Sequence, residues 1–142
     1  MLVKDIMSKD VVTTDSQTSV REAARIMADN SVSCIVIAEG DDIAGIVTES
    51  DILFTFADGR RFDYDKKPVS DIMSKSVFQI ESEADVKAAV ELMVRHKIKK
   101  LPVVETGKLV GIITTGDIAA SQTDVIENIG KLISRRLKKL VT

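Results

Sequence analysis

The chain has 142 residues, of which 44% are hydrophobic and 30% are charged, and its formal net charge is −2. These proportions are typical of a globular protein and exclude a long disordered chain. No stretch approaches the roughly 20 apolar residues of a membrane span, and the charged N-terminus is unlike a secretory signal, so we expect a cytoplasmic protein that does not contact a membrane.

The sequence offers little material for catalysis or metal binding. One cysteine, Cys34, excludes an internal disulfide and a cysteine-built zinc site, and its apolar neighbours predict a buried thiol. The one histidine, His96, lies at the end of a helical pattern, where an exposed capping role is expected. The acidic pair at 41–42 belongs to a hairpin turn and not to a metal site. We therefore expect no enzyme activity, no metal and no required cofactor.

An internal duplication dominates the chain. Residues 3–53 recur without a gap at 69–119, with 17 identities over 51 positions, and both copies begin with Asp-Ile-Met-Ser. Two such copies are too small to be independent, and they predict two halves of one module with two similar pockets. The copies differ in charge: the net charge is −6 over 3–53, zero over 69–119 and +3 over 120–142. The acidic first half argues against a broad nucleic-acid surface.

In chain order, each copy predicts helix, strand, strand, helix after a short extended piece. Polar stretches at 13–16 and 79–82 are expected to cap the first helices. Apolar residues at helical spacing predict the buried stripes of these helices: Val20, Ala23, Ala24 and Met27, then Val86, Ala89, Val90 and Met93. β-branched runs around Gly-containing turns predict one hairpin per copy, at 34–38 with 43–47 and at 101–104 with 109–113. Second helices begin near Ser50 and Gly116.

We expect a first repeat over 1–57, a polar linker over 58–68, a second repeat over 69–122 and an amphipathic helix over 123–142. The last helix has no counterpart in the first copy. Its apolar stripe could cover the module's own surface or form a dimer, and its basic end leaves open a role as a nucleic-acid-binding or scaffold protein.

The most informative motif is Gly-Ile-(Val/Ile)-Thr-x-x-Asp-Ile, which occurs at the strand-to-helix junction of both copies. It places Thr48 with Asp51, and Thr114 with Asp117, at a helix N-terminus. Two interpretations of this spacing stay open. Thr-x-x-Asp is close to a helix capping box, which contributes roughly 1 kcal/mol. The same geometry also suits a nucleotide, because a carboxylate accepts hydrogen bonds from the vicinal hydroxyls of a ribose.

With its repeat, its element order and this motif, the chain resembles a tandem pair of CBS domains, also called a Bateman module. The resemblance covers nearly the whole chain apart from the linker and residues 120–142. It implies an α+β fold of two β-α-β-β-α units related by a pseudo-twofold axis, with two clefts that commonly bind AMP, ADP, ATP or S-adenosylmethionine.

The resemblance also implies site residues. The ribose-binding aspartate of the family falls on Asp51 and Asp117, and the hydroxyl that contacts ribose or phosphate falls on Thr48 and Thr114. The remaining implied nucleotide-binding positions are Thr18, Ser33, Lys99, Lys100 and Pro102. Thr18 is replaced by Ala84 in the second copy, and the two lysines are replaced by Ser33 and Cys34 in the first. We therefore expect shared ribose chemistry and phosphate binding concentrated at the lysines.

The expected function is that of a ligand-sensing regulatory module. An adenosine-containing small molecule would be its regulatory ligand, a regulated protein of unknown identity would receive the signal, and the module would form a homodimer, as its family often does.

Overall fold

The computed structural model describes residues 1–122 and 131–133. The helices and strands follow one another in this order: α1 Val3–Ile6, β1 Thr13–Thr14, α2 Val20–Asp29, β2 Cys34–Glu39, β3 Asp42–Thr48, α3 Glu49–Ala57, β4 Ile80–Glu81, α4 Val86–His96, β5 Lys100–Glu105, β6 Lys108–Thr114 and α5 Thr115–Ala120. Each copy therefore has the predicted β-α-β-β-α order. Of the predicted helix over 123–142, only residues 131–133 are described, and they are helical; the remainder lies outside the described residues.

The predicted capping stretches are wrong in both copies. Thr13–Thr14 and Ile80–Glu81 are short strands that pair in parallel with β2 and β5. The helices begin several residues later: Ser19 accepts a hydrogen bond from the N–H of Glu22 over 3.1 Å, and Asp85 accepts one from the N–H of Lys87 over 2.8 Å. A turn separates strand from helix in each copy, and this turn also contains polar residues, so the polar stretch alone did not locate the cap.

Each repeat forms a three-stranded sheet, with strand orders β1-β2-β3 and β4-β5-β6. One sheet face packs on the first long helix of its repeat. The core of the first repeat includes Ala23, Met27, Ile35, Ile37 and Val47, and that of the second includes Ala89, Met93, Leu101, Val103 and Ile113. The predicted helical stripes are confirmed except at Ala24, which is half-buried, and at Val90, which is 38% exposed. The buried thiol predicted at Cys34 is also confirmed.

The chain divides into two compact units. Each unit contains most of one repeat together with the first residues of the other repeat, 1–10 or 69–77, which are called its arm here. One unit comprises Met1–Asp10 and the described residues from Phe78 onward, and the other comprises Val11–Val77. In the first, Val3 is fully buried and its N–H donates to the carbonyl oxygen of Ala84 over 2.8 Å. In the second, the N–H of Val69 donates to the carbonyl oxygen of Thr18 over 2.7 Å. The Asp-Ile-Met-Ser motif therefore begins each repeat in the sequence but packs in the compact unit that holds the remainder of the other repeat.

Glycines on the outer strands leave room for these arms. A Cβ added at Gly111 would lie 2.5 Å from Sδ of Met7 and 2.8 Å from the carbonyl oxygen of Ser8. A Cβ added at Gly45 would meet Met73 at 2.6 Å in the same way. Adjacent residues bind the arm, since Ser8 and Ile112 exchange two backbone hydrogen bonds of 2.9 Å. The repeated methionines Met7 and Met73 pack against these glycine positions.

No helix within residues 1–122 and 131–133 has the length and apolar character needed to cross a membrane.

Candidate functional site

The junction between β3 and α3 forms a complete capping box. Thr48 is the N-cap, and its Oγ1 accepts a hydrogen bond from the N–H of Asp51 over 3.4 Å. In return Oδ2 of Asp51 accepts from the N–H of Thr48 over 2.8 Å and from the Thr48 hydroxyl over 3.1 Å. These contacts satisfy backbone groups that a helix N-terminus otherwise leaves unpaired. The structural interpretation of the Thr-x-x-Asp spacing is therefore confirmed for the first copy.

The second copy repeats the box with one difference. Oδ2 of Asp117 accepts from the N–H of Thr114 over 2.9 Å, and Oγ1 of Thr114 accepts from the N–H of Asp117 over 3.1 Å. Within the described residues, the hydroxyl of Thr114 donates no hydrogen bond, whereas that of Thr48 donates to its aspartate. The Thr114 hydroxyl thus retains a proton that it can give to a ligand.

Each carboxylate has hydrogen-bond acceptor positions that its capping role does not use. A carboxylate has about four lone-pair positions on its two oxygens. In both boxes only Oδ2 is used, and within the described part of the chain Oδ1 of Asp51 and of Asp117 accepts no hydrogen bond. Both side chains are half-buried. One aspartate can therefore hold the helix end and still accept two hydroxyl donors from a ligand.

A backbone hydrogen bond joins the residue before each central strand to the helix N-terminus that carries the capping box. In the unit built from residues 11–77 the N–H of Glu49 donates to the carbonyl oxygen of Ser33 over 3.0 Å. In the other unit the N–H of Thr115 donates to the carbonyl oxygen of Lys99 over 2.9 Å. The sequence-predicted residues at 33 and 99 therefore stand next to the helix N-termini that carry the aspartates.

The register of the second sheet brings more of the predicted residues to one face. Lys100 pairs with Thr114, and Pro102 pairs with Ile112. Because residues opposite each other in an antiparallel pair share a face, and faces alternate along a strand, Lys100, Pro102 and Thr114 lie on the face that is not packed against α4. Pro102 is fully buried in the central strand. Because proline cannot donate to a sheet ladder, the sequence predicts Pro102 at a strand start or edge. This prediction is wrong, since Pro102 lies inside the central strand, although outside the part of β5 that pairs with β4.

The two boxes have different electrostatic surroundings. In the second copy Lys99 is exposed and Lys100 is half-buried, and within the described residues neither forms an ion pair. At the first helical position this copy has Thr115, where the first copy has Glu49. The first copy thus adds a carboxylate at the helix N-terminus and lacks both cations. Sequence reasoning missed this Glu-to-Thr difference, although the repeat alignment contains it.

Thr18 occupies a separate position in the same unit as the first box. Its hydroxyl lies 2.6 Å from that of Thr14, and its carbonyl oxygen accepts from Val69. No hydrogen bond within the described residues joins Thr18 to Thr48 or Asp51. The structure places Thr18 in the turn before α2, and a role for it in binding stays a prediction.

His96 does not join any of these groups. Its ring stacks on that of Phe78, with centroids 3.6 Å apart and an interplanar angle of 15°. The histidine ends α4, as predicted, and it is half-buried instead of exposed.

Comparison with known proteins identifies the family. The model of the CBS domain matches twice, at residues 3–58 and 69–127. The CBS domain-containing protein YhcV of Bacillus subtilis is 36% identical over 121 residues, which cover 84% of each chain. The CBS-domain containing protein ATU1752 of Agrobacterium tumefaciens is similar in structure, with a TM-score of 0.79, 28% identity, and coverage of 87% of this chain and 100% of that one.

A further similar structure contains ligands. It is the CBS domain pair of protein MJ0100 in complex with 5′-methylthioadenosine and S-adenosyl-L-methionine, with a TM-score of 0.74 and 32% identity. The match covers 83% of this chain and 92% of that one. The paired family matches, the repeated strand-to-helix junctions and the shared architecture lead to one conclusion: the chain belongs to the CBS-domain family and carries two copies of the domain.

Proposed function

We propose that the protein is a non-catalytic regulatory module that binds an adenosine-containing small molecule and holds its ribose at Asp51 and Asp117. The observation that carries this proposal is the state of the two carboxylates. Each has one oxygen committed to a capping box and a second oxygen that accepts no hydrogen bond within the described residues. Two vicinal ribose hydroxyls can donate to the lone pairs that each of these carboxylates has left.

The ligands of MJ0100 support adenosine as the common element. 5′-Methylthioadenosine and S-adenosyl-L-methionine share the adenosine group and carry no phosphate. A site that selects for this common part needs acceptors for the ribose hydroxyls and does not need a phosphate pocket. The first repeat fits that description, because it has Ser33 and a buried Cys34 where the second has lysines.

The second repeat is suited to a phosphorylated ligand. Lys99 stands beside the N-terminus of α5, and Lys100 shares a sheet face with Thr114. An ammonium group near a phosphate forms a charge-assisted hydrogen bond of about 1.5–3 kcal/mol before the costs of desolvation and ordering. AMP, ADP and ATP are therefore the preferred ligands of this repeat, whereas S-adenosylmethionine suits either.

Regulation requires that ligand binding change an equilibrium. A ligand shifts a conformational equilibrium only by the difference between its affinities for the two states. A module with this role passes the shift to a partner protein or to a second copy of itself. The outer face of α4 favours self-association, because Val94 is 72% exposed and Val90, one turn earlier, is 38% exposed.

Thermal unfolding with a panel of ligands tests the proposal. A ligand that binds only the folded protein stabilises it by RT ln(1 + [L]/Kd), so the midpoint should rise with concentration. We expect adenosine, 5′-methylthioadenosine, S-adenosylmethionine, AMP and ATP to raise the midpoint, and cytidine at equal concentrations to leave it unchanged. A panel in which no adenosine compound raises the midpoint overturns the proposal.

A further inference from the structure

The linker and the end of α3 enclose a surface cavity of about 380 Å³ that none of the functions above uses. All of its lining residues belong to the unit built from residues 11–77. Phe54 and Phe62 give it aromatic walls, and three cations line it: Arg60, Arg61 and Lys67. The carboxylates of Asp58 and Asp71 also line the cavity, and its volume lies within the range of small-molecule sites.

The second repeat supplies an internal comparison. At the position of Phe54 it has Ala120, so this aromatic lining residue is found in one repeat only. The floor is not specific in this way, because Asp71 and Ile72, which also line the cavity, have the same residue types at the matching positions of the other arm. The β-α-β-β-α unit forms in the second repeat without an aromatic side chain at the position of Phe54, so the unit itself does not require this ring.

Folding also gives no reason for the exposure of Phe54. Its side chain is 70% exposed although it lies on a regular helix. Exposed large aromatic residues beside cations are typical of surfaces that bind planar, negatively charged groups, because the ring faces stack and the guanidinium fork matches phosphate or carboxylate oxygens.

Two of the three cations that line the cavity form weak ion pairs, and the third forms none within the described residues. Nε of Arg60 lies 3.3 Å from Oδ2 of Asp58, and Nζ of Lys67 lies 3.9 Å from Oδ2 of Asp71. These are exposed ion pairs, which a competing anion can replace. Arg61 forms no ion pair within the part of the chain that the structure describes. The guanidinium of Arg61 is therefore available to a bound anion directly. Arg60 and Lys67 become available when the anion displaces their carboxylate partners.

Tyr64 packs the linker against α2 and α3 and contacts two lining residues of the cavity, Thr55 and Phe62. Its ring stacks on Phe56 at a centroid distance of 4.8 Å, and its hydroxyl lies 2.9 Å from the hydroxyl of Thr55. The N–H of Arg21 donates to its carbonyl oxygen over 3.0 Å. A wall that is ordered in advance reduces the ordering cost of binding.

We propose that this cavity binds a small phosphorylated molecule with a planar ring, with the ring against Phe54 and Phe62 and the phosphate at Arg60 and Arg61. The site is distinct from the ribose positions, since it lies where α3 ends and Thr48 and Asp51 lie where α3 begins.

Fluorescence titration with 1-naphthyl phosphate tests the proposal. This probe has the ring and the phosphate but no ribose, so it does not report on Asp51 or Asp117. We expect saturable binding to the full chain, at least about tenfold weaker binding of 1-naphthol, and a loss of about tenfold or more in Arg60→Gln/Arg61→Gln. Phe54→Ala should weaken binding of the probe and leave the affinity for inorganic phosphate unchanged, because it removes only the contact with the ring.

Matched variants separate this site from the others. Lys66→Gln/Lys75→Gln removes the same charge from the same unit without touching the lining, so it should change the affinity less than about twofold. The titration is repeated in Lys99→Ala/Lys100→Ala, where one site per chain should remain. The altered side chains are exposed except for the half-buried Lys100, and far-UV circular dichroism checks that each variant folds. Equal binding by the arginine variant and its control, or no saturable binding by the full chain, would overturn the proposal.

Discussion

The backbone N–H of Thr115 donates to the carbonyl oxygen of Lys99 over 2.9 Å, and this bond fixes the strand entry that carries the two lysines against the helix N-terminus that carries Asp117. Its counterpart joins Glu49 to Ser33 over 3.0 Å. The two repeats therefore share a backbone frame and differ in the side chains mounted on it. Under the proposed function, we expect that difference to give shared ribose chemistry with unequal phosphate chemistry.

Removal of one ribose carboxylate should affect binding more than folding. Asp117→Ala loses a capping interaction of about 1 kcal/mol and both acceptors for the ribose, so we expect adenosine to bind the second repeat at least about tenfold more weakly. Calorimetric titration and urea unfolding of the same sample give the two quantities.

Asp85→Ala is the matched control for that change. Asp85 caps α4 through the N–H of Lys87 over 2.8 Å, so its loss should destabilise the protein by a similar amount and leave adenosine affinity unchanged. If both variants lose affinity in proportion to their stability, then Asp117 acts only as a cap.

Lys99 and Lys100 should strengthen the binding of phosphorylated ligands and leave the binding of adenosine unchanged. Lys99→Ala/Lys100→Ala removes two charge-assisted contacts, so ATP affinity should fall about tenfold or more while adenosine affinity is retained. Lys87→Ala/Lys108→Ala makes the same change of net charge elsewhere in the same repeat and should have little effect. Titrations with ATP and adenosine measure both, and equal losses for the two ligands would refute the phosphate assignment.

The first repeat should gain phosphate affinity when it receives the side chains of the second. In the Asp117→Ala background, Ser33→Lys with Glu49→Thr adds a cation and removes an acidic group at the helix N-terminus. ATP affinity should then rise about threefold to tenfold while adenosine affinity stays constant. Ser33→Gln with Glu49→Thr supplies a long neutral side chain as the control. A gain of the same size with glutamine would show that length, and not charge, is responsible.

Packing of the arm against β6 should be sensitive to a single methyl group. Gly111→Ala places a Cβ 2.8 Å from the carbonyl oxygen of Ser8, and backbone atoms cannot move aside cheaply, so we expect a loss of about 1–3 kcal/mol in the free energy of unfolding. Gly116→Ala meets nothing closer than 3.5 Å and should stabilise its helix by up to about 1 kcal/mol. Urea denaturation measures both variants, and equal effects would contradict the assigned packing.

The sequence predicted the repeat, its element order and the placement of Thr48 and Asp51 because these depend on local patterns and on a gapless alignment. It did not predict that Val3 and Met7 pack in the unit formed by the other repeat, since an exchange of arms changes no local pattern. The helix caps at Ser19 and Asp85 were missed because a turn with its own polar residues precedes each. The linker appeared only as a polar stretch, because the contacts that Tyr64 makes across it depend on the folded chain.

The capping box shows why a motif did not decide between the two interpretations. The structure confirms the box at Thr114 and Asp117, and the same contacts leave Oδ1 of the aspartate without a hydrogen bond in the described residues. A cap and a ribose site are therefore compatible in one side chain. The choice between them rests on ligand measurements.

Calorimetric titration of AMP and of its 2′,3′-dideoxy analogue into the full chain tests the central claim most directly, because the two ligands differ only in the ribose hydroxyls assigned to Asp51 and Asp117. We expect AMP to bind and the dideoxy analogue to bind at least about tenfold more weakly. Equal affinities for the two ligands, or no heat of binding with either, would contradict the assigned ribose site.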